Sequence, residues 1–164
     1  MDTTATIRPA KPGDTEAIMN LTDAIALFEG EELEELGNML AGYFDGSLGE
    51  EHSWIVCEDD GVVGVAYFAP EQYAYGTWNL YLIAVHPKHQ GKGNGTAMLR
   101  QVEQTLFSKG ERLLLVETSG LPNFELTRKF YRKQGYEEEA RIREFYKAGD
   151  DKIIFRKALV TPLS

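Results

Sequence analysis

The chain has 164 residues, enough for a single domain over 1–164 with a substantial core and no need of staples. A formal net charge of −9 makes it a poor general binder of nucleic-acid phosphates, and no apolar run approaches the length of a membrane span. One cysteine, Cys57, excludes a disulfide framework within the chain and makes a reducing compartment, the cytoplasm, the expected one.

The charge is unevenly spread. Residues 1–76 hold sixteen acidic and two basic side chains, whereas residues 77–164 hold ten acidic and fifteen basic ones. Such asymmetry suits a soluble acidic surface, and equally a molecule whose second half meets an anion.

In chain order, Ala5 to Pro9 reads as a short strand ended by its proline. Asp14 is a candidate N-cap, and Ile18, Leu21, Ile25 and Phe28 follow at helical spacing, which predicts a helix of about four turns closed by Gly30. Glu31 to Phe44 repeats the pattern. Leu33, Leu36, Leu40 and Tyr43 or Phe44 share one side, and Glu31, Glu32, Glu34 and Glu35 the other. From Ser53 the period becomes that of strands. Trp54 to Cys57 and Val62 to Phe68 are β-rich runs joined by Glu58-Asp59-Asp60-Gly61, whose Asp-Gly step signals a hairpin. Thr77 to Val85 is a central strand, apolar on both faces near its end.

Met98, Leu99, Val102, Leu106 and Phe107 predict a buried stripe on a helix that Lys109-Gly110 terminates. Leu113 to Thr118 is a further buried strand with Glu117 near its end, Asn123 to Gln134 another helix, and Tyr136–Tyr146 and Lys152–Leu159 two strands around the turn Gly149-Asp150-Asp151. Strand–helix–strand crossovers following a hairpin imply a mixed sheet with helices on both faces.

The chemistry is concentrated in Asn79 to Leu106. A strand that ends at His86-Pro87, turns through Gln90-Gly91-Lys92-Gly93-Asn94-Gly95 and opens a helix gathers backbone N–H groups and the positive end of a helix dipole at one point. That is an anion site, most naturally for a phosphate or pyrophosphate. It is not a P-loop, since no glycine stands five residues before Gly91-Lys92. It is not a dinucleotide fingerprint either, since Thr96 and Met98 stand where a third Gly or Ala belongs.

What fits is Gln90-x-x-Gly93-x-Gly95 after a strand and a proline. This stretch resembles the acetyl-CoA pyrophosphate loop of the GNAT superfamily of N-acetyltransferases. Phe130-Tyr131, the charged Arg132-Lys133 and Gly135-Tyr136 resemble the superfamily's second segment, and the order of elements is similar to the GNAT fold along essentially the whole chain. The resemblance implies an α/β (mixed α+β) fold, with a central mixed, mostly antiparallel sheet of six to seven strands. It also implies acetyl-CoA as co-substrate, with no metal. Backbone groups of Ile83, Ala84 and Val85 would take the pantetheine arm. The N–H groups of Gln90, Gly91, Lys92, Gly93, Asn94, Gly95 and Thr96 would take the pyrophosphate. Family members often carry an asparagine seven residues before the tyrosine. Phe124 stands there in this chain, with Asn123 beside it as the candidate ligand.

By the same resemblance Tyr131 protonates the departing thiolate, and Glu117 accepts the proton of the incoming amine. A phenol with a pKa of about 10 is a reasonable donor to the conjugate base of a thiol near 8.5. Apolar strands around Glu117 would raise its pKa and improve it as an acceptor. Two plainer readings stand beside these: Tyr131 as a core aromatic, and Glu117 as a strand-end acid holding a loop.

The expected acceptor is a small primary amine drawn as a cation to Glu29, Glu31, Glu32, Glu34 and Glu35. The alternatives are a protein N-terminal or lysine acetyltransferase and a catalytically silent CoA-binding regulatory domain. A homodimer through the final strands and Leu159–Leu163 follows only from family habit. His86 and His89 flank a proline turn with no third ligand near, and His52 stands alone, so none is expected to bind metal. No G-x-S-x-G elbow is present.

Overall fold

The computed structural model describes residues 5–25, 30–49 and 51–159. In chain order these form β1 (Thr6–Pro9), α1 (Thr15–Ala24), α2 (Glu31–Phe44), β2 (Ser53–Glu58), β3 (Val62–Pro70), β4 (Thr77–Val85), α3 (Asn94–Ser108), β5 (Leu113–Ser119), α4 (Glu125–Lys133), β6 (Glu137–Lys147) and β7 (Asp150–Ala158). The strands form one seven-stranded sheet in the order β1-β2-β3-β4-β5-β7-β6. The β4/β5 pair is parallel, and the β1/β2, β2/β3, β5/β7 and β6/β7 pairs are antiparallel. This is the mixed, mostly antiparallel α/β sheet that the sequence predicts. Phe28 and Glu29, with residues 160–163 of the proposed dimer segment, lie outside the described residues.

The chain folds as two compact units, Met1–Ala69 with Leu82–Val102, and Pro70–Tyr81 with Glu103–Ser164. In the first, Ile18 and Leu21 on α1 and Leu36 and Leu40 on α2 form a core with Trp54, Val56, Val65 and Tyr67 of the β2/β3 hairpin. The spacing of three or four residues turns these leucines and isoleucines to one side of each helix. The acids Glu31, Glu32, Glu34 and Glu35 are exposed on α2, and three of them fall in its first turn, where negative charge complements the helix dipole. Cys57 is buried on β2, and burial pushes its thiol up.

Asp14 departs from its expected role. It stands at the N-cap of α1 but makes no side-chain cap there. Its carboxylate instead takes two bonds from Arg8, at 2.8 and 3.0 Å, and a third from the Lys11 N–H at 2.7 Å. Arg8 also reaches Glu58 at 3.2 Å, which joins β1 to β2. The first helix also stops at Ala24, short of the expected four turns. Thr22 Oγ1 donates to Ile18 O at 3.1 Å, competing for that carbonyl with a backbone N–H of the last turn.

In the second unit, parallel pairing runs from Thr77↔Leu113 to Leu80↔Val116, and β5 is flanked by β7 from Leu113↔Ala158 to Ser119↔Lys152. Three expectations change here. Phe107 is 44% exposed and does not belong to the buried stripe, which Met98, Leu99, Val102 and Leu106 complete. Asn123 lies in a 3-10 turn, Pro122–Phe124, ahead of α4. The guanidinium of Arg128 pins that turn through Ser119 O at 2.7 Å and Leu121 O at 2.9 Å. The β6/β7 turn is Ala148-Gly149, because Asp150 already pairs with Lys147. Both aspartates are anchors: Asp150 accepts from Ser119 Oγ, and Asp151 accepts from Arg141 at 2.5 Å and from the Glu144 N–H at 2.9 Å.

The Arg8 guanidinium beside Asp14 holds its carboxyl below the usual carboxylate range. Its folded pKa is therefore lower than its unfolded one, so the stabilisation is complete above the unfolded pKa and is lost as pH falls through the folded pKa. Asp14→Asn is expected to cost roughly 1–3 kcal/mol at pH 7, and the gap to the parent protein to close below about pH 4. Urea unfolding from pH 7 down to pH 3 measures both.

Candidate active site

The β4–α3 connection is built as the sequence requires. Val85 ends the strand, and the His86 N–H donates to Val63 O at 2.8 Å. A 3-10 turn follows at Pro87–His89, with the Lys88 N–H on His86 Nδ1 at 3.2 Å. Gln90 Nε2 returns to Val85 O at 3.0 Å, and the buried Asn94 side chain reaches His89 O at 3.4 Å. The loop is thus cross-linked to both the strand and the helix it joins.

Gly91 and Gly93 have φ of +77° and +85°, where a side chain is strained. A Cβ at either would meet nothing within 4 Å, so the backbone faces open space. The bond from Ala97 N to Gly93 O, 3.0 Å, is the first of the helical ladder, and the N–H groups of Asn94 and Gly95 precede it. Met98, fully buried, seats the helix on β3 at Gly64, where a Cβ would come within 2.8 Å of its Cε. Gln90, Lys92 and the two glycines are exposed, Ile83 and Val85 are half-buried, and Ala84 is buried. An exposed glycine turn at a helix N-terminus, with a lysine in it and nothing near the Cβ position of either glycine, fits a pyrophosphate.

In the second unit, Glu117 occupies the first β5 position past the parallel pairing with β4. Its expected apolar surroundings are not found. Glu117 Oε2 pairs with Lys152 Nζ at 2.6 Å, and Oε1 accepts from Asn79 Nδ2 at 3.1 Å. The same Asn79 nitrogen donates to Glu71 Oε1 at 2.8 Å, to which Tyr81 OH also donates at 3.4 Å. Asn79 is 2% exposed, and its Oδ1 has no partner. Lys152 Nζ lies 4.0 Å from the centre of the Phe145 ring. Burial and the nearby carboxylates of Glu117 and Asp150 raise the Tyr146 hydroxyl above its ordinary pKa.

Tyr131, on α4, is 3% exposed and packs against Phe130, Tyr136 and Phe155 with ring centroids 5.4 to 5.8 Å apart. Burial raises its pKa well above that of a free phenol, so it carries its proton throughout the neutral range. Tyr136, beside it, donates to Glu103 at 2.6 Å, and Lys157 Nζ closes on the same carboxylate at 3.2 Å. Asn123 is exposed.

The unit therefore brings Glu117 together with Glu71, Asn79, Tyr81 and Lys152, none of which the sequence reading singled out. Asn79 offered one signal: an amide flanked by Trp78 and Leu80 in an otherwise apolar strand. Among the described residues no group of three or more His, Cys, Asp and Glu could hold a metal, and no helix is long and apolar enough to cross a membrane.

The family model for the acetyltransferase (GNAT) domain matches residues 49–138. A protein assigned to the GNAT acetyltransferase family from Desulfovibrio desulfuricans is 32% identical, with 96% of this chain and 100% of that one covered and a TM-score of 0.89. A Salmonella typhimurium protein solved with its cofactor acetyl-CoA is 21% identical, with 99% and 98% covered and a TM-score of 0.78. A chimera built on a Vibrio cholerae spermidine N-acetyltransferase is 18% identical, with 96% of each chain covered and a TM-score of 0.79. No curated protein matches. On the extent of the family match and the full-length identity to the Desulfovibrio protein, the chain belongs to the GNAT superfamily and is an acetyl-CoA-dependent acyltransferase.

Proposed function

We propose that the protein moves the acetyl group of acetyl-CoA to the primary amine of a small, cationic molecule by direct attack, working as one cytoplasmic domain. The observation that carries this reading is the β4–α3 loop, where two exposed positive-φ glycines, at which a Cβ would meet nothing within 4 Å, stand just ahead of a helix. In this reading Gln90 to Thr96 hold the pyrophosphate, backbone groups of Ile83, Ala84 and Val85 take the pantetheine amides, and Asn123 contributes at most a surface contact. Bound acetyl-CoA supplies an activated thioester.

Glu117, which pairs with Lys152 and accepts a hydrogen bond from Asn79, takes the proton of the attacking nitrogen. As the C–N bond forms and the C–S bond breaks, Tyr131 gives its proton to the sulfur. A phenol raised by burial is a weaker acid than a free one. It serves in this role because a thiolate released into dry surroundings is more basic as well. Support for a cationic acceptor comes from the acidic first half of the chain and from the structural kinship to a spermidine N-acetyltransferase.

The test is release of free CoA thiol from acetyl-CoA over polyamines, aminoglycosides, amino acids and N-terminal peptides. Amine-dependent release is expected, and Tyr131→Phe and Glu117→Gln should each lower kcat by roughly 10²-fold. Release only with peptides would assign a protein acceptor, and CoA binding with no release would favour a silent binding domain. Gly93→Ala forces a side chain to φ +85° and into the open space before the loop. It should cost about 1 kcal/mol of stability, through strain alone, and weaken CoA binding more than tenfold by calorimetry. Unchanged CoA affinity in that variant would rule the loop out as the pyrophosphate site.

A further inference from the structure

The two carboxylates that share the Asn79 amide are not electrostatically equivalent. Glu117 is compensated by Lys152 at 2.6 Å. Glu71 is half-buried and takes only the neutral donors Asn79 and Tyr81, and among the described residues no cation pairs with it. A partly desolvated carboxylate without a counter-charge is the strongest local attraction for a cation. Because Glu71 Oε1 and Glu117 Oε1 both bond one nitrogen, they lie no further apart than those two bonds laid end to end. One ammonium group can therefore reach both.

Two further observations point to an ammonium. The buried Asn79 Oδ1, on the same planar amide, is a hydrogen-bond acceptor with nothing donating to it. The cluster also already binds an ammonium of its own, Lys152 Nζ, between the Glu117 carboxylate and the Phe145 ring.

Resting on the proposed amine acetyltransferase, we infer that Glu71 is a specificity-determining residue: it seats the acceptor as an ammonium next to Glu117, which takes one proton and passes it to solvent, freeing the nitrogen lone pair, and then takes the second as the C–N bond forms. The labour is divided between the acids. Glu71 supplies the charge that selects a protonated amine, and Glu117, whose charge Lys152 already compensates, receives the proton.

The experiment measures binding of n-butylamine and of its neutral isostere 1-butanol to the CoA-loaded protein, by NMR titration. The parent protein should prefer the amine by at least about tenfold, as a hydrogen bond to a charged group warrants. Glu71→Gln keeps an oxygen for Asn79 but removes the charge, and should bring the two ligands within about threefold of each other. Glu71→Asp, as the conservative control, should retain most of the preference.

No preference in the parent protein, no binding of either probe, or a preference that survives Glu71→Gln would each overturn the inference. Thiol release with the amine panel separates the two levels. If amines are acetylated while Glu71→Gln leaves the preference intact, only the role of Glu71 falls. If neither CoA nor amines engage the protein, the underlying reading falls with it.

Discussion

The constraint on which the β4–α3 site depends is a backbone one: between Val85 and Asn94 the chain must leave a strand and begin a helix within eight residues. It does so through two left-handed positions that only glycine occupies without strain. A side chain at either would be tolerated for space but not for conformation, since a Cβ there meets nothing. In the proposed reading, shape and function thus share one cause. The residues that let the chain turn are those that leave its amides bare, and the helix they open adds its dipole at the same point. The cross-links from Gln90 to Val85 O and from Asn94 to His89 O hold this geometry ready before any ligand arrives.

A second economy is visible around Asn79. Two carboxylates that meet at one nitrogen repel, and a buried amide left idle is costly. One NH₂ group answers both needs by donating to Glu71 and Glu117 together. The remaining charge is then halved by Lys152, whose own desolvation is eased by the Phe145 ring. What is left over is one acid without a counter-charge and one unused carbonyl oxygen, the pair on which the proposed ammonium seat rests.

How much of this could be read in the chain beforehand depended on sequence distance. The glycine loop was legible because its signal is local: glycines, a proline and a change of period lie within a dozen residues. The leucine stripe of α2 and the limits of β4 were legible for the same reason. The partners of Glu117 were not, because Asn79 stands 38 residues before it and Lys152 meets it only through the pairing of β5 with β7. Reading Glu117 from its apolar neighbours in sequence therefore gave the wrong surroundings. The β6/β7 turn was misplaced by the same mechanism. Gly149-Asp150-Asp151 has turn chemistry, but Ser119 and Arg141 claim both aspartates. Tertiary partners override local preference where a charged side chain can be satisfied at a distance.

The charge asymmetry of the chain takes on a narrower meaning in this light. The glutamates of α2 are exposed, and at physiological ionic strength their field decays over a Debye length of about 8 Å. Charges so placed raise the encounter rate of a cation but discriminate weakly once it has arrived. Discrimination needs a charge partly withdrawn from water, and Glu71 is such a charge. In the proposed reading, steering and selection fall to different acids. Added salt should slow encounter through the first set while leaving the selectivity set by the second largely intact.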